Sequence, residues 1–485
     1  MSLRKNFIYN TIYQMLIIIM PIITVPYVSR VLGPNGIGDY SYTLSYAQYF
    51  VMLGMIGISV YGSREVACFK NDKKKLSEQF WSIYILQFIT TIIATIIYFL
   101  IFVVINNNSR LLYLIQGIVV ITTIFDISWF FIGYEDMKSI VIRNSIVKIL
   151  GVISIFIFIK NSSDVVLYAF ILAISSFIGQ IVMWFNLVEK VEITKLNINV
   201  NKVLKHIRPT IGLFISQVAI QMYTVLDKTM LGAMTNVYQV GLYENSQKTI
   251  KLTLTLLTSL GVIMLPRMSS LYSEGKIKEL KRLMYKSLDY INFMVFPMVA
   301  GLIAISDGFS IWFYGREFSG VSPLLKIGSI IIIFISWGNI FGSQILLSMK
   351  KEKQFTIAVI GGAIINIIIN FFIIKDLKAV GTTIASIIAE FVVSMIYLYF
   401  LRNFVDFKKI LKSIVKPLIG SLIMFMIIYP ITLILNVGVL WTILEIIIGI
   451  SIYLILMYCL KDRFLLNIIN EFKLRFANKK YIKKL

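Results

Sequence analysis

The chain has 485 residues, of which 58% are hydrophobic and only 15% are charged, and its net charge is +23. Its mean hydropathy is +0.83. A soluble globular chain carries about 25% charged residues, so this composition excludes that class and predicts a membrane protein that crosses the bilayer many times. In such a protein the positive charge belongs in the loops, and it gives no argument for nucleic-acid binding.

Apolar runs of membrane length recur along the chain and predict an all-α polytopic membrane protein with about 14 transmembrane helices. The first run follows Arg4 and Lys5 as in a signal peptide, but it is too long for one, so we expect a transmembrane helix there. The predicted spans are residues 7–31, 38–63, 80–105, 111–133, 140–159, 165–188, 209–233, 238–265, 287–312, 323–348, 355–374, 380–401, 414–435 and 440–460.

Lys and Arg are distributed unequally between the two sides that these spans define. Of the 47 cations, 35 lie in the termini and in the loops on the N-terminal side, and only six lie on the opposite side. The positive-inside rule therefore predicts that both termini are cytoplasmic and that the basic loops face anionic membrane lipid. A basic amphipathic helix starting near Ser273 is expected on the membrane surface, as is the tail 461–485.

The predicted seventh and eighth helices contain charged side chains in otherwise apolar segments. These are Asp227, Lys228, Glu244, Lys248 and Lys251. An ionisable residue inside the membrane indicates a functional site, because charge is costly there. On a helix, Glu244, Lys248 and Lys251 share a strip roughly 60° wide. The charges could instead pair with one another and only join helices, but the excess of cations favours a site for an anionic ligand.

A short pattern occurs twice in the chain. Leu32-Gly33 precedes a Gly-x-Tyr element at Gly38, and Leu231-Gly232 precedes another at Gly241. The copies lie six predicted helices apart, which favours two related six-helix lobes in parallel orientation. The predicted division is a lobe at 1–188, a cytoplasmic linker at 189–208, a second lobe at 209–401, helices 13 and 14 at 402–460 and a basic tail at 461–485.

Aligning the two Gly-x-Tyr elements exposes a difference in charge. The neutral residues Ser41, Ser45 and Gln48 stand where the second copy has Glu244, Lys248 and Lys251. The alignment predicts that the second lobe binds the charged part of a ligand and that the first lobe contacts its neutral part.

These segments resemble a known family. The residues are SRVLGP and GIGDY around Arg30, DKTMLG from Asp227, and YENSQK from Tyr243. They are similar to the polysaccharide-transporter branch (Wzx-type flippases) of the multidrug/oligosaccharidyl-lipid/polysaccharide exporter superfamily. The resemblance implies two bundles around a central cationic cavity that opens alternately to the two sides of a bacterial plasma membrane.

The implied cargo is a polyprenyl-pyrophosphate-linked oligosaccharide repeat unit, a precursor of capsule, exopolysaccharide, O-antigen or teichoic acid, moved from the inner to the outer leaflet. The cations available for the pyrophosphate are Arg30, Lys228, Lys248 and Lys251. The polar side chains available for sugar hydroxyls are Asn10, Gln14, Gln48, Gln217 and Gln221.

Related exporters couple transport to an ion gradient, which makes Asp227 or Glu244 the candidate for a carboxylate that responds to H⁺ or Na⁺. No metal or organic cofactor is expected. Polymerase and glycosyltransferases of the same pathway are further candidate partners.

Two other functions remain open at this stage. A drug/cation antiporter of the same superfamily is one, although about twelve helices and a carboxylate-rich cavity would suit it better. A polytopic enzyme such as a polysaccharide polymerase is the other. The short outer loops and the lack of a nucleotide-binding motif argue against it, so we expect no catalytic activity. His206 is expected to be solvated, and Cys68 and Cys459 are expected to be packing residues rather than a disulfide.

Overall fold

The computed structural model describes residues 3–105, 109–192 and 200–470, and in these ranges the chain is helical and contains no strand. Its α-helices are α1 (Leu3–Met55), α2 (Ile58–Phe69), α3 (Lys73–Phe99), α4 (Arg110–Thr122), α5 (Ser128–Gly133), α6 (Met137–Phe158), α7 (Val165–Leu187), α8 (Val200–Leu204), α9 (Ile207–Met234), α10 (Val237–Ser273), α11 (Ile277–Tyr314), α12 (Val321–Gly328), α13 (Ile331–Gly338), α14 (Glu352–Phe400), α15 (Phe407–Ile434) and α16 (Val439–Cys459). Short π-helical segments, Leu100–Ile105 and Asn339–Leu346, extend α3 and α13.

Within the described ranges, nine helical stretches are long and apolar enough to cross a membrane, or ten if the bent pair α12 and α13 forms one span. The prediction of an all-α, multi-pass membrane protein is therefore confirmed. Two of these stretches contain a residue outside the helical conformation, so α1 and α14 each hold two successive helices. Helices also occupy the positions of the charged seventh and eighth spans, as α9 and α10. The count of 14 crossings stays a prediction.

The break in α1 lies at Gly33, which has φ 66° and ψ 177°. Only glycine adopts this backbone conformation without strain, because a Cβ would clash with the chain. Pro34 follows, where its fixed φ suits the first turn of the next helix. Pro21 and Pro26 lie in α1 without leaving the helical region of φ and ψ.

The basic amphipathic segment near Ser273 does not form a separate surface helix, so that expectation was wrong. Gly275, at φ 72°, turns the chain after α10, and α11 then runs without interruption from Ile277 to Tyr314. The basic residues form the first turns of a membrane-length helix. Helical hydrogen bonding simply continues from the polar segment into the apolar one, and no residue between them stops it.

The chain divides into two compact units, residues 1–244 and 245–485. In the first unit, large aromatic side chains including Phe80, Trp129 and Phe130 form the core. Gln87 supports it: its amide donates to the carbonyls of Thr123 and Asp126 at 2.8 and 2.9 Å, and its oxygen accepts from the Trp129 indole at 2.9 Å. Gln87 thus satisfies the carbonyl groups that are freed where α4 ends before α5.

In the second unit, α11, α15 and α16 pack around Phe293, Met424, Tyr453 and Met457. The buried hydroxyl of Tyr453 donates to the Phe293 carbonyl at 2.7 Å, so this core contains a satisfied polar contact. The boundary between the units lies within α10, after Glu244, and the first unit therefore includes α9. The predicted lobe boundaries at 188, 209 and 401 stay a prediction.

Two expectations about single residues were wrong. His206 is fully buried rather than solvated, and its Nδ1 lies 2.7 Å from the Tyr61 hydroxyl. Its loop is basic, but the residue itself caps the start of α9 and turns inward against α2. Cys68 and Cys459 are exposed free thiols rather than packing residues, because both lie at the ends of helices.

Candidate functional site

The charged residues of α9 and the start of α10 form an ion pair between the two helices. Lys228 Nζ lies 2.7 Å from Glu244 Oε2, and the two side chains are only 13% and 14% exposed. A pair so poorly exposed to solvent is screened weakly, and each charge offsets the desolvation of the other. The sequence allowed Glu244 to pair with Lys248 one turn away on α10, but its partner is on the preceding helix. Part of the charged cluster therefore joins helices.

Asp227 is more deeply buried than the ion pair, at 1% exposure. Its Oδ2 accepts a hydrogen bond of 2.7 Å from the hydroxyl of Tyr243 at the start of α10. Two residues further along α9, the Thr229 hydroxyl lies 2.9 Å from that of Tyr49 on α1. The C-terminal end of α9 is thus held by polar contacts to α1 and α10.

Lys248 and Lys251 lie on the less buried side of α10. Lys248 is half-buried and Lys251 is exposed, whereas Asn245, Thr249 and Ile250 are all buried. The buried side is tied to α11, because the Tyr314 hydroxyl donates to the Asn245 carbonyl at 2.7 Å. As α10 is one continuous helix, the predicted i, i+4, i+7 spacing of Glu244, Lys248 and Lys251 is present in the structure.

The repeated glycines pack against each other in the first unit. A Cβ added to Gly38 would lie 1.8 Å from the Val237 carbonyl oxygen, and one added to Gly241 would lie 2.0 Å from the Pro34 carbonyl oxygen. Each added Cβ would also lie 3.1 Å from the backbone nitrogen of the other glycine. These reciprocal contacts show that the two Gly-x-Tyr elements cross with their backbones in contact, which a side chain at either glycine would prevent. The repeat found in the sequence is therefore also a structural contact.

The two copies differ at their Leu-Gly steps and at the aligned polar positions. Gly33 breaks α1, but Gly232 is helical and packs against the ring of Tyr42. A Cβ added to Gly232 would lie 2.3 Å from a carbon atom of that ring. Ser41 and Ser45 are buried, at 1% and 0% exposure, and the Ser45 hydroxyl donates to a carbonyl of its own helix. The serines of the first copy are thus buried in the helix packing, at the positions where the second copy has charged residues.

The remaining predicted site residues lie at separate places on the first unit. Arg30 is exposed at the end of the first helix of α1, and Gln48 is half-buried on the second. Gln221 is exposed on α9 and lines a cleft of about 180 Å³ with Asp126 and Phe214. The side chains of Asn10, Gln14 and Gln217 lie outside the described residues. No group of three or more His, Cys, Asp or Glu side chains in the described part of the chain is placed to hold a metal.

One polar cavity was missed by the sequence reasoning. It has a volume of about 380 Å³ in the first unit and is lined by Arg143 and Lys148 of α6, by Gln180 of α7 and by Thr24 of α1. Arg143 is 8% exposed and donates to Gln180 Oε1 at 2.5 Å. The sequence did contain an indication of this cavity, because Arg143 and Lys148 are two cations within the apolar predicted span 140–159. The first unit therefore also holds cations inside a predicted membrane span.

The helices and their embedded charges define a multi-pass membrane protein with polar sites inside its bundles. Comparison with known proteins identifies the family: a family model described as polysaccharide biosynthesis protein matches residues 3–272, more than half of the chain. The chain belongs to this family. The family assignment includes both copies of the repeat and the charged helices α9 and α10.

Individual relatives and solved structures agree with this assignment. The putative O-antigen transporter of Escherichia coli (strain K12) is 26% identical over 83% of this chain and 97% of its own length. The capsular polysaccharide biosynthesis protein CapF of Staphylococcus aureus is 24% identical over 82% of this chain and 99% of its own. The inward closed conformation of the lipid II flippase MurJ has the same fold, with a TM-score of 0.77, 17% identity and coverage of 94% of this chain and 98% of that one.

Proposed function

We propose that this protein is a flippase, which moves a polyprenyl-pyrophosphate-linked oligosaccharide repeat unit from the inner to the outer leaflet by alternating access. The observation that carries the proposal is that the segment matching the polysaccharide biosynthesis family, residues 3–272, contains the five charged residues predicted inside the membrane: Asp227, Lys228, Glu244, Lys248 and Lys251. The relatives named as an O-antigen transporter and a capsular polysaccharide biosynthesis protein support a lipid-linked saccharide as cargo. The likeness to MurJ supports the fold that this function needs.

The pyrophosphate is the part of the cargo that most needs protein contacts. In a region of low dielectric it loses hydration, and cationic donors must replace the lost hydrogen bonds. Lys248 and Lys251 suit this role because they lie on the less buried side of α10, where a ligand can reach them. Lys228 is less suited while Glu244 neutralises it. Arg30 is exposed, and it supplies a further cation from the first unit.

Sugar hydroxyls require neutral donors and acceptors, for which Gln48 and Gln221 are described candidates and Gln217 a further one. Two carboxylates are proposed for coupling to H⁺ or Na⁺. Asp227 is buried with the Tyr243 hydroxyl as a partner, and Glu244 is in the ion pair with Lys228. A proton or Na⁺ that neutralised Glu244 would release Lys228 for the cargo, and this exchange is the coupling step that we propose.

The orientation belongs to the same proposal. The unequal distribution of Lys and Arg supports cytoplasmic termini in the bacterial plasma membrane, with the basic loops on the side where lipid-linked precursors are made. The family match favours polysaccharide transport over drug/cation antiport. The names of the relatives also argue against a polymerase, because the E. coli relative is named as a transporter and MurJ as a flippase.

The test of this function is deletion of the protein followed by mass spectrometry of the lipid-linked intermediates. A flippase deletion should leave complete single repeat units attached to the lipid on the cytoplasmic side, and the mass of the glycan would identify the sugar. Intermediates that reach the outer leaflet but remain single units would indicate a polymerase and contradict the proposal. A normal pool of intermediates with normal surface polymer would contradict any role in this pathway.

A further inference from the structure

A large basic cleft lies at one end of the second unit and includes no residue of α9 or α10. Its volume is about 810 Å³, and its walls come from the first turns of α11 and α15, the segment between α14 and α15, and the residues after α16. Eight cations and three carboxylates line it. The cations are Lys278, Lys281, Arg282, Lys286, Lys409, Lys412, Lys416 and Arg463.

The cations form stripes along two neighbouring helices. Lys278, Arg282 and Lys286 follow one another every four residues on α11, and Lys409, Lys412 and Lys416 are spaced by three and four on α15. Such spacing places each set on one face of its helix. Among the described residues, no carboxylate lies within ion-pair distance of these eight cations. The cleft therefore concentrates more positive charge than its three carboxylates neutralise.

Two of the three carboxylates of the cleft accept hydrogen bonds from backbone amides. Asp406 accepts from the Lys408 amide at 3.0 Å, and Asp462 accepts from the amides of Phe464 and Leu465 at 2.9 and 3.1 Å. These bonds shape the cleft by fixing the start of α15 and the turn after α16. Asp406 and Asp462 thus contribute to its structure. The third carboxylate, Asp289, interacts electrostatically with Arg463, and the other cations of the cleft remain to bind a ligand.

Contacts with aromatic rings and with a backbone carbonyl hold the walls in place. Lys416 Nζ donates to the Lys461 carbonyl at 2.9 Å. Lys281 Nζ lies 4.8 Å from the centre of the Phe404 ring, and Lys409 Nζ lies 5.4 Å from that of Tyr285. The Tyr285 hydroxyl accepts from the Asp406 amide at 2.7 Å. The cleft is therefore a built concavity rather than a set of independent surface lysines.

An exposed apolar stripe begins beside the cations on α15. Leu411, Val415, Leu418 and Leu422 are 61%, 48%, 38% and 48% exposed, and their spacing puts them on one face of the helix. Since α15 is a membrane-length apolar helix, this face contacts acyl chains. A ligand with phosphates in the cleft and hydrocarbon along α15 would match both surfaces.

We propose that the cleft binds the headgroup of an anionic membrane phospholipid that carries two phosphates, such as diphosphatidylglycerol. Basic pockets between transmembrane helices on the cytoplasmic side suit such headgroups, and the distribution of Lys and Arg predicts that this end of the unit is cytoplasmic. Eight cations against three carboxylates exceed what one phosphate needs. The site is separate from the cargo residues on α9 and α10, so it does not depend on the proposed function.

The test is native mass spectrometry of the purified full-length protein titrated with diphosphatidylglycerol, with phosphatidylglycerol or with inorganic pyrophosphate. The cleft variant is Lys278→Gln/Arg282→Gln/Lys412→Gln, in which all three side chains are exposed. The control Lys73→Gln/Lys74→Gln/Lys353→Gln removes the same charge from exposed positions outside the cleft. We expect diphosphatidylglycerol to bind the unaltered chain and the control alike, and the cleft variant at least about tenfold more weakly.

Equal binding by the cleft variant and the control would overturn the proposal, as would an unaltered chain that retains no lipid. Displacement of the lipid by equimolar inorganic pyrophosphate would also overturn it, because it would show a site for a free anion. If the triple variant is poorly folded, the single variant Lys412→Gln provides the same comparison against Lys353→Gln, and a smaller but measurable loss of binding is expected.

Discussion

At the scale of single residues, the ion pair of Lys228 and Glu244 has two possible roles that make different predictions. Removing one partner, as in Lys228→Met, leaves a poorly solvated carboxylate and should destabilise the fold by about 3 kcal/mol. The double variant Lys228→Met/Glu244→Met removes both charges and should recover most of that stability. Thermal unfolding of the purified variants would measure both effects.

Transport by the double variant separates the two roles. If the pair only joins α9 to α10, a stable apolar replacement should export polymer normally. If Glu244 releases Lys228 to the cargo, as proposed, the double variant should insert and fold yet fail to produce surface polymer. A well-folded double variant with normal surface polymer would remove both residues from the transport mechanism.

His206 is the one histidine in the chain, which makes its titration simple to isolate. Burial and the neighbouring Lys205 lower the pKa of His206 to about 4, against about 6.5 in an unfolded chain. The folded state therefore favours the neutral ring. The stability that depends on a neutral His206 is fully present above about pH 6.5 and is lost as the pH falls towards 4.

The unfolding temperature should accordingly fall between pH 7 and pH 5 in the unaltered protein. In His206→Gln, which keeps a polar side chain next to Tyr61, this part of the pH dependence should be smaller. The measurement is a series of thermal unfolding curves at fixed ionic strength. An identical slope in both proteins would show that His206 titrates normally in the fold.

At the scale of helices, the crossing of Gly38 and Gly241 is a contact that side chains cannot replace. Gly38→Ala or Gly241→Ala would place a methyl group against a backbone carbonyl of the other helix, and the helices would have to separate. We expect a loss of several kcal/mol in stability, about the size of other overpacked contacts or more. Gly301→Ala in α11 is the matched control, because nothing lies within 4 Å of its added Cβ.

The control should be neutral or stabilising by up to about 1 kcal/mol, since alanine favours helix more than glycine does. Both sets of variants can be compared by size-exclusion chromatography after heating. If Gly38→Ala tolerates heat as well as Gly301→Ala, then the close crossing is not needed for the fold.

The sequence predicted these elements unequally well. Glycines at a fixed spacing from Tyr indicated a repeat, but no pattern could show that the two copies touch, because contacts between distant segments depend on tertiary packing. The charged strip of α10 was predictable from helical periodicity. The pairing of Glu244 with Lys228 was not predictable. Lys248 was an equally possible partner by sequence, and only the arrangement of α9 and α10 decides between them.

Other misses have similar physical causes. The burial of His206 against Tyr61 was not predictable from a basic loop, because solvation depends on which way one side chain turns. Arg143 and Lys148 were visible as cations inside a predicted span, yet only the structure showed that they share a cavity with Gln180. The amphipathic start of α11 was recognised, but its continuation into the membrane helix was not.

At the scale of the whole molecule, the all-α membrane fold followed from hydropathy alone, since a chain in lipid must satisfy its backbone within helices. The orientation is a prediction that labelling can test. Cys68 is exposed in a segment predicted to be cytoplasmic, and Ser319 is exposed in a segment predicted to be external. In intact cells, a membrane-impermeant maleimide should label the single cysteine of Ser319→Cys/Cys68→Ala/Cys459→Ala. It should not label Cys68 in Cys459→Ala, where Cys68 is the single cysteine.

Permeabilised cells provide the control, because Cys68 should become reactive once the reagent enters. Labelling of Cys68 but not of residue 319 in intact cells would reverse the orientation. It would also place the basic cleft of the second unit on the outer side of the membrane. The lipid proposal assumes the cytoplasmic side, so this result would contradict it.

The central claim is that the protein moves a pyrophosphate-linked saccharide with the help of the cations on α10. Its most direct test uses proteoliposomes containing the lipid-linked intermediate isolated from the deletion strain. Lys248→Ala/Lys251→Ala is compared with the unaltered protein and with Lys73→Ala/Lys74→Ala, which removes two exposed lysines outside these helices.

The unaltered protein and the control should move the intermediate to the opposite leaflet at similar rates. The α10 variant, at equal protein content, should be slower by at least about tenfold, since two charge-assisted contacts to the pyrophosphate are lost. Equal rates for all three proteins would contradict the role of α10, and no movement by the unaltered protein would contradict the flippase function itself.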